Sequence, residues 1–160
     1  VGVLASLSPV VGQEPVPPSP EKPNAKVAND PKSEADKAKL QGNWQMMSMD
    51  LGFKVIKRED NLAEWKAAFE ADFFFKEDRS GQIGHSNTKF KLDATRDPKQ
   101  ITLYDDGGKL IFRGIYILEG DTLTTCMNGD GNSVCRPEEF VTKKGQAVVM
   151  VTYKRVPAKK

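Results

Sequence analysis

From Leu40 onward the chain alternates short apolar-polar runs with turn residues, at intervals of about eight to twelve positions. "NWQMMSMDLG" (43–52) is extended and stops at Gly52. "KVIKRED" (54–60) adds a short strand or a turn. "DNLAEWKAAFE" (60–70) changes period: Leu62, Trp65 and Phe69 fall on one helical face, and Asn61 and Glu64 have capping-box spacing. "ADFFFKED" (71–78) is a strand that breaks at "RSG". "QIGHSNTKFKLDA" (82–94) alternates weakly, and "KQITLYDDGG" (99–108) is a strand running into a hairpin turn. "KLIFRGIYILEGDTLTTCM" (109–127) holds two β-rich runs joined by the turn "EGD". "EEFVT" (138–142) reads as a short strand and "AVVMVTYKRV" (147–156) as the last one.

No crossover helices separate these runs, which excludes a parallel α/β sheet. The pattern predicts a mainly β domain: an antiparallel up-and-down β-barrel of about eight strands with one short helix. Closure removes exposed edges, and a barrel of that size is either filled or holds one small ligand.

The first forty residues differ. "QEPVPPSPEKPNAKVANDPKSEADKAK" (13–39) has no aromatic residue, and seven of the ten prolines lie within the first 31 positions. Such a stretch cannot bury enough apolar surface to offset its ordering entropy. It reads as a disordered, polyproline-like linker over 13–36, with residues up to Asp36 lacking regular structure. "SEADKAKL" supplies one helical turn capped by Ser33. The barrel domain is expected over 37–160. Ahead of the linker, "VGVLASLSPVVG" (1–12) is small and apolar. It resembles the truncated end of a secretory signal peptide with cleavage near Gly12 or Gln13, so the expected location is periplasmic or extracellular.

Composition narrows the function classes. Net charge is +2, from 24 basic and 22 acidic residues whose signs are interspersed. That is no nucleic-acid footprint. No window is apolar for the roughly 18 residues a spanning helix needs. Two cysteines, Cys126 and Cys135, flank the turn-rich "MNGDGNSV". They suit a disulfide if the protein is exported and two free thiols if it is not.

Four pieces in order, "LQGNW" (40–44), "FRGIYILEGDTL..C" (112–126), "RPEEF" (136–140) and "VTYKR" (151–155), resemble a lipocalin-like domain family of unknown function. That family is abundant in planctomycete bacteria and often lies behind export signals. The resemblance spans Leu40 to Val156 and implies a small barrel of the calycin type, with no established catalytic residues. It implies a role for the opening motif: Trp44 packs across the closed end of the barrel against a basic side chain of the last strand, Arg155 or, one register away, Lys154. Gly42 then turns the backbone sharply into the first strand. Cys126 stands where the family often has a cysteine, whereas Cys135 has no regular counterpart, so the resemblance does not support the disulfide.

Candidate chemistry is sparse. His85 is the only histidine, which excludes a His-rich metal site, and no serine near it stands in a nucleophile motif. Asn128, Asp130, Asn132 and Glu139 have the spacing of calcium-loop positions 1, 3, 5 and 12. Ser133 stands where that loop needs glycine, and Pro137 disrupts the exit, so a tight Asn/Gly turn accounts for the same letters. No cofactor is implied, and no residue pattern points to an enzyme. Two readings remain. In one, the barrel holds a small apolar or amphipathic ligand, lined by candidates Met47, Met49, Phe73, Phe75, Phe90, Tyr116 and Tyr153. In the other, a filled barrel presents a surface to an envelope protein. An interior cavity of roughly a few hundred Å3 favours the first and a packed interior the second.

Overall fold

Strand β1 (Gly42–Asp50) is the seam of the fold. The structure, a computed structural model, describes residues 30–71, 73–76, 78, 80–83, 86–128 and 135–157. The signal-like segment 1–12, the linker as far as Asn29, and His85 lie outside them. Along one edge β1 pairs with the last strand, β9 (Val148–Val156), setting Trp44 opposite Arg155 and Met46 opposite Tyr153. Along its other edge it pairs first with β3 (Phe73–Phe75), through residues 42–44, and then with β2 (Val55–Lys57), through residues 48–50. β2 and β3 share one place in the wall, so the nine strands among the described residues make a closed antiparallel barrel of eight. The others follow up-and-down: β4 (Ser80–Ile83), β5 (Ser86–Asp93), β6 (Gln100–Asp105), β7 (Leu110–Glu119) and β8 (Thr122–Asn128).

Period-two alternation fills the interior. Trp44, Met46, Phe73, Phe75, Phe90, Leu92, Ile101, Leu103, Tyr116, Leu123, Val151 and Tyr153 belong to one buried cluster. Burying each such side chain stabilises the fold by roughly 1.5–3 kcal/mol relative to leaving it in water.

Regular structure begins earlier than the proline density suggests. Helix α1 (Pro31–Leu40) starts inside the segment expected to lack it. Its cap is Asp30, not Ser33: the Asp30 carboxylate accepts from the Ser33 amide at 2.9 Å, and Pro31 supplies a first-turn φ without needing a hydrogen-bond partner. Ser33 is freed for a tertiary role, its hydroxyl accepting from the Ala94 amide at 2.9 Å. Tertiary contacts outweigh the low apolar content of the stretch.

Three other expectations need correction. The helix over 60–70 is broken: a 3-10 turn at Ala63–Trp65 leads into α2 (Lys66–Glu70). Asn61 does not cap it; it closes the preceding turn at Arg58–Asp60 in the left-handed region, with φ 47°. Phe69 still points to the core, with Leu62 and Trp65 packed partly buried against it. The break comes before "SG": β3 ends at Phe75, and Ser80 and Gly81 already belong to β4. A Cβ on Gly81 would lie 2.5 Å from the Phe74 carbonyl oxygen, so glycine marks a close approach of backbones rather than a turn. "EEFVT" forms no strand. After β8 the chain over 135–147 crosses the outside of the barrel as a strap, and Pro137 has no N–H to offer a ladder.

Candidate functional site

The closed end is built around α1. The Trp44 indole, 2% exposed, donates its Nε1–H to the Leu40 carbonyl at 2.8 Å. Of the two cations considered for the far side of the ring, Arg155 occupies the place, with Cζ 4.3 Å from the ring centroid. Its guanidinium also donates to the Lys39 and Gln41 carbonyls and to the Asp121 carboxylate, the last at 2.9 Å. Gly42 has φ +111°, and a Cβ there would sit 3.1 Å from the Arg155 Nη1. Glycine is therefore required both by the backbone and by the approach of the arginine. Further along α1, buried Asp36 accepts from the Tyr116 hydroxyl at 2.9 Å and pairs with Lys99 at 2.7 Å. Burial first, and the neighbouring Asp36 carboxylate second, push the Tyr116 hydroxyl well above the usual tyrosine range.

The seven candidate lining residues divide. Phe73 and Tyr153 rings meet at 5.0 Å and Phe75 and Phe90 at 5.2 Å, edge to face. These four, with Tyr116, pack against one another in the barrel interior, and Tyr116 turns its hydroxyl to α1. Met49 lies partly buried against the same cluster. Met47 is the extra residue of a bulge, where the register of β1 on β9 shifts between Met46 and Ser48. The interior includes two polar oddities: the Thr88 and Thr125 hydroxyls are buried with no hydrogen-bond partner among the described residues.

Two surface cavities of several hundred Å3 lie outside this packed interior. One, of about 490 Å3, is a shallow hollow between the strap and β9, lined by Asn128, Glu139, Lys143 and Val148 among others. The other, of about 500 Å3, is a deeper cleft in the wall where β1 changes partner from β3 to β2. The gap between those strands is spanned by Arg58, whose Nη1 donates to the Phe69 carbonyl and, at 3.5 Å, to that of Met46. Phe69, Ala71, Phe73, Phe74 and Val156 give the cleft apolar walls; Asn43, Gln45, Arg58 and Glu70 add polar groups. Register puts Asn43, Phe74 and Val156 side by side on one face. Of the seven lining candidates only Phe73 reaches this cleft, and Trp44 lines it as well. Arg58, Phe69 and Phe74 escaped the sequence reading because the cleft follows from a change of strand partner, which no local pattern announces.

The cysteines are free: Cys126 is buried and Cys135 exposed. The expected disulfide is therefore absent from the structure. Cys126 sits mid-strand with its Sγ 3.6 Å from the Glu139 carbonyl oxygen, under the strap, and burial pushes its thiol above the usual range. Arg136, at the strap's start, reaches the wall instead, donating to the Ile101 carbonyl at 2.8 Å, to the Gly114 carbonyl, and to the Thr102 hydroxyl at 3.0 Å. The strap is thus anchored by an arginine where the sequence offers a disulfide. Among the described residues no three His, Cys, Asp or Glu side chains are placed to hold a metal, and no helix is long and apolar enough to cross a membrane. Asp130, Asn132 and Ser133 of the calcium-like spacing lie outside those residues.

No family model, curated protein or solved structure matches the chain.

Proposed function

We propose that this protein is a non-catalytic binding module of the lipocalin-like kind, one that takes a small amphipathic ligand in a cleft of its barrel wall. The observation that carries this reading is the cleft of about 500 Å3 between β1, β3 and α2. Its size and its mix of aromatic walls with a few polar groups are those of small-molecule sites. The ring contacts within the barrel argue against the lumen as the place of binding. Among the described residues the lining holds amide, guanidinium, carboxylate and aromatic groups, with no hydroxyl, thiol or imidazole to serve as a nucleophile with its base. Membership of the lipocalin-like family rests on the four ordered sequence pieces, and export rests on Val1 to Gly12.

The test is binding of short amphipaths followed by amide shift mapping. Shifts confined to Gln45, Ala71, Phe74 and Val156 support the cleft, and Ala71→Phe, which fills it, should weaken binding at least tenfold. Shifts centred on Phe90, Leu103 and Leu123 would move the site into the lumen. A second reading, a docking surface for an envelope protein, is favoured by Phe53 and Val55, 67% and 54% exposed at the β1–β2 turn. Absence of any small-ligand binding would favour it.

A further inference from the structure

We propose that the cleft selects an anionic amphipath, a carboxylate carried on an apolar body, and that Arg58 is its head-group partner. This rests on the cleft reading above and adds the chemical class of the ligand. Arg58 follows β2 directly and is half-buried. Its Nη1 holds the Phe69 and Met46 carbonyls, which fixes the plane of the guanidinium. Among the described residues no other hydrogen bond or ion pair ties it, and there Nε and Nη2 meet no acceptor. A guanidinium edge with two parallel N–H groups matches a carboxylate in bidentate fashion, and it stays cationic at every relevant pH. Partial burial raises the cost of leaving those donors unmet and strengthens the attraction to an anion that meets them.

The rest of the lining agrees with this charge. Among the described lining residues the one acidic side chain, Glu70, is exposed and has Lys66 at 3.9 Å, so it is partly compensated at the rim. Asn43 and Gln45, alternate residues on the outer face of β1, bring amide donors beside the apolar walls of Phe69, Phe74 and Val156. A head group at Arg58 would leave its apolar body along those side chains. A cationic amphipath would set its charge against Arg58, and a neutral one would leave the open edge without an acceptor.

The experiment uses the intact chain and three eight-carbon probes, octanoate, octanol and octylamine, with affinities measured by isothermal titration calorimetry at pH 7.5. Octanoate is expected to bind at least tenfold more tightly than the other two. Arg58→Gln should erase that preference, and Arg58→Lys should retain only part of it, since a lysine keeps the charge but loses the fork. Because Arg58 also supports the wall, the comparison of probes on the unaltered protein decides the matter if either variant fails to fold. Equal affinity for the three probes would overturn the head-group assignment and leave the cleft reading standing. No binding by any probe would overturn both.

Discussion

Arg155 lies over the face of Trp44 and, from the same guanidinium, holds the carbonyls of Lys39 and Gln41 at the end of α1. One side chain thus ties the last strand, the first strand and the plugging helix together. Arg155→Ala should cost on the order of 3 kcal/mol, from the lost cation–π contact and the unmet carbonyls together. Arg155→Lys should cost less but more than half as much, because an ammonium cannot serve the ring, two carbonyls and Asp121 at once. Urea unfolding of the three proteins checks this. Equal stability of wild type and Arg155→Ala would contradict it.

Asp36 makes the second tie between α1 and the barrel. Asp36→Ala removes the acceptor of the Tyr116 hydroxyl, which belongs to a residue only 1% exposed, and the partner of Lys99. A loss of about 2–4 kcal/mol is expected, since a buried donor is left unpaired. Hydrogen exchange should show α1 amides released well before those of β7 and β8. Uniform release of helix and strands would mean that α1 does not detach as a separate unit.

The barrel is legible in the sequence because its signals are local. Alternation around Tyr116, Leu118 and Leu123 marks the strands, and the "EGD" turn joins β7 to β8. The Gly-x-Trp start and the basic end of the chain are individually weak signals, yet the register sets Trp44 against Arg155. What stays illegible depends on tertiary partners. Pro31 to Leu40 has little apolar content to advertise a packed helix; Asp36 finds Tyr116 and Lys99 only after the chain has folded. Gly81 looks like a breaker because glycine serves both turns and tight backbone approaches. The cleft exists because β2 and β3 take turns along one edge of β1, and that leaves no mark on either strand.

The two thiols should differ in reactivity. Cys135 is exposed, whereas Cys126 is covered by the strap and carries a raised pKa, so it holds less of the reactive thiolate. With iodoacetamide at pH 8, the native protein should gain one label rapidly, on Cys135, and a second only after denaturation. Arg136→Ala, which frees the strap from Ile101, Gly114 and Thr102, should speed the labelling of Cys126 at least tenfold. Non-reduced, denatured protein that takes up no label at all would instead indicate a Cys126–Cys135 bond in solution.

Tyr153 predicts a loss of stability at alkaline pH. Its side chain lies inside the barrel, and burial raises its hydroxyl well above the usual tyrosine range. In the unfolded chain the same group ionises near pH 10. Above that pH the unfolded chain binds fewer protons than the folded one, so the free energy of unfolding falls as pH rises. The contribution is fully present below about pH 10 and is lost through the interval up to the folded-state value, at about 1.4 kcal/mol per pH unit for one tyrosine. Tyr153→Phe removes this group alone, so its comparison with wild type isolates the contribution. Urea unfolding at pH 8 and pH 11, read by tryptophan fluorescence, should show wild type losing about 1 kcal/mol more than Tyr153→Phe. Parallel losses in the two proteins would mean that the Tyr153 hydroxyl reaches water in the folded state.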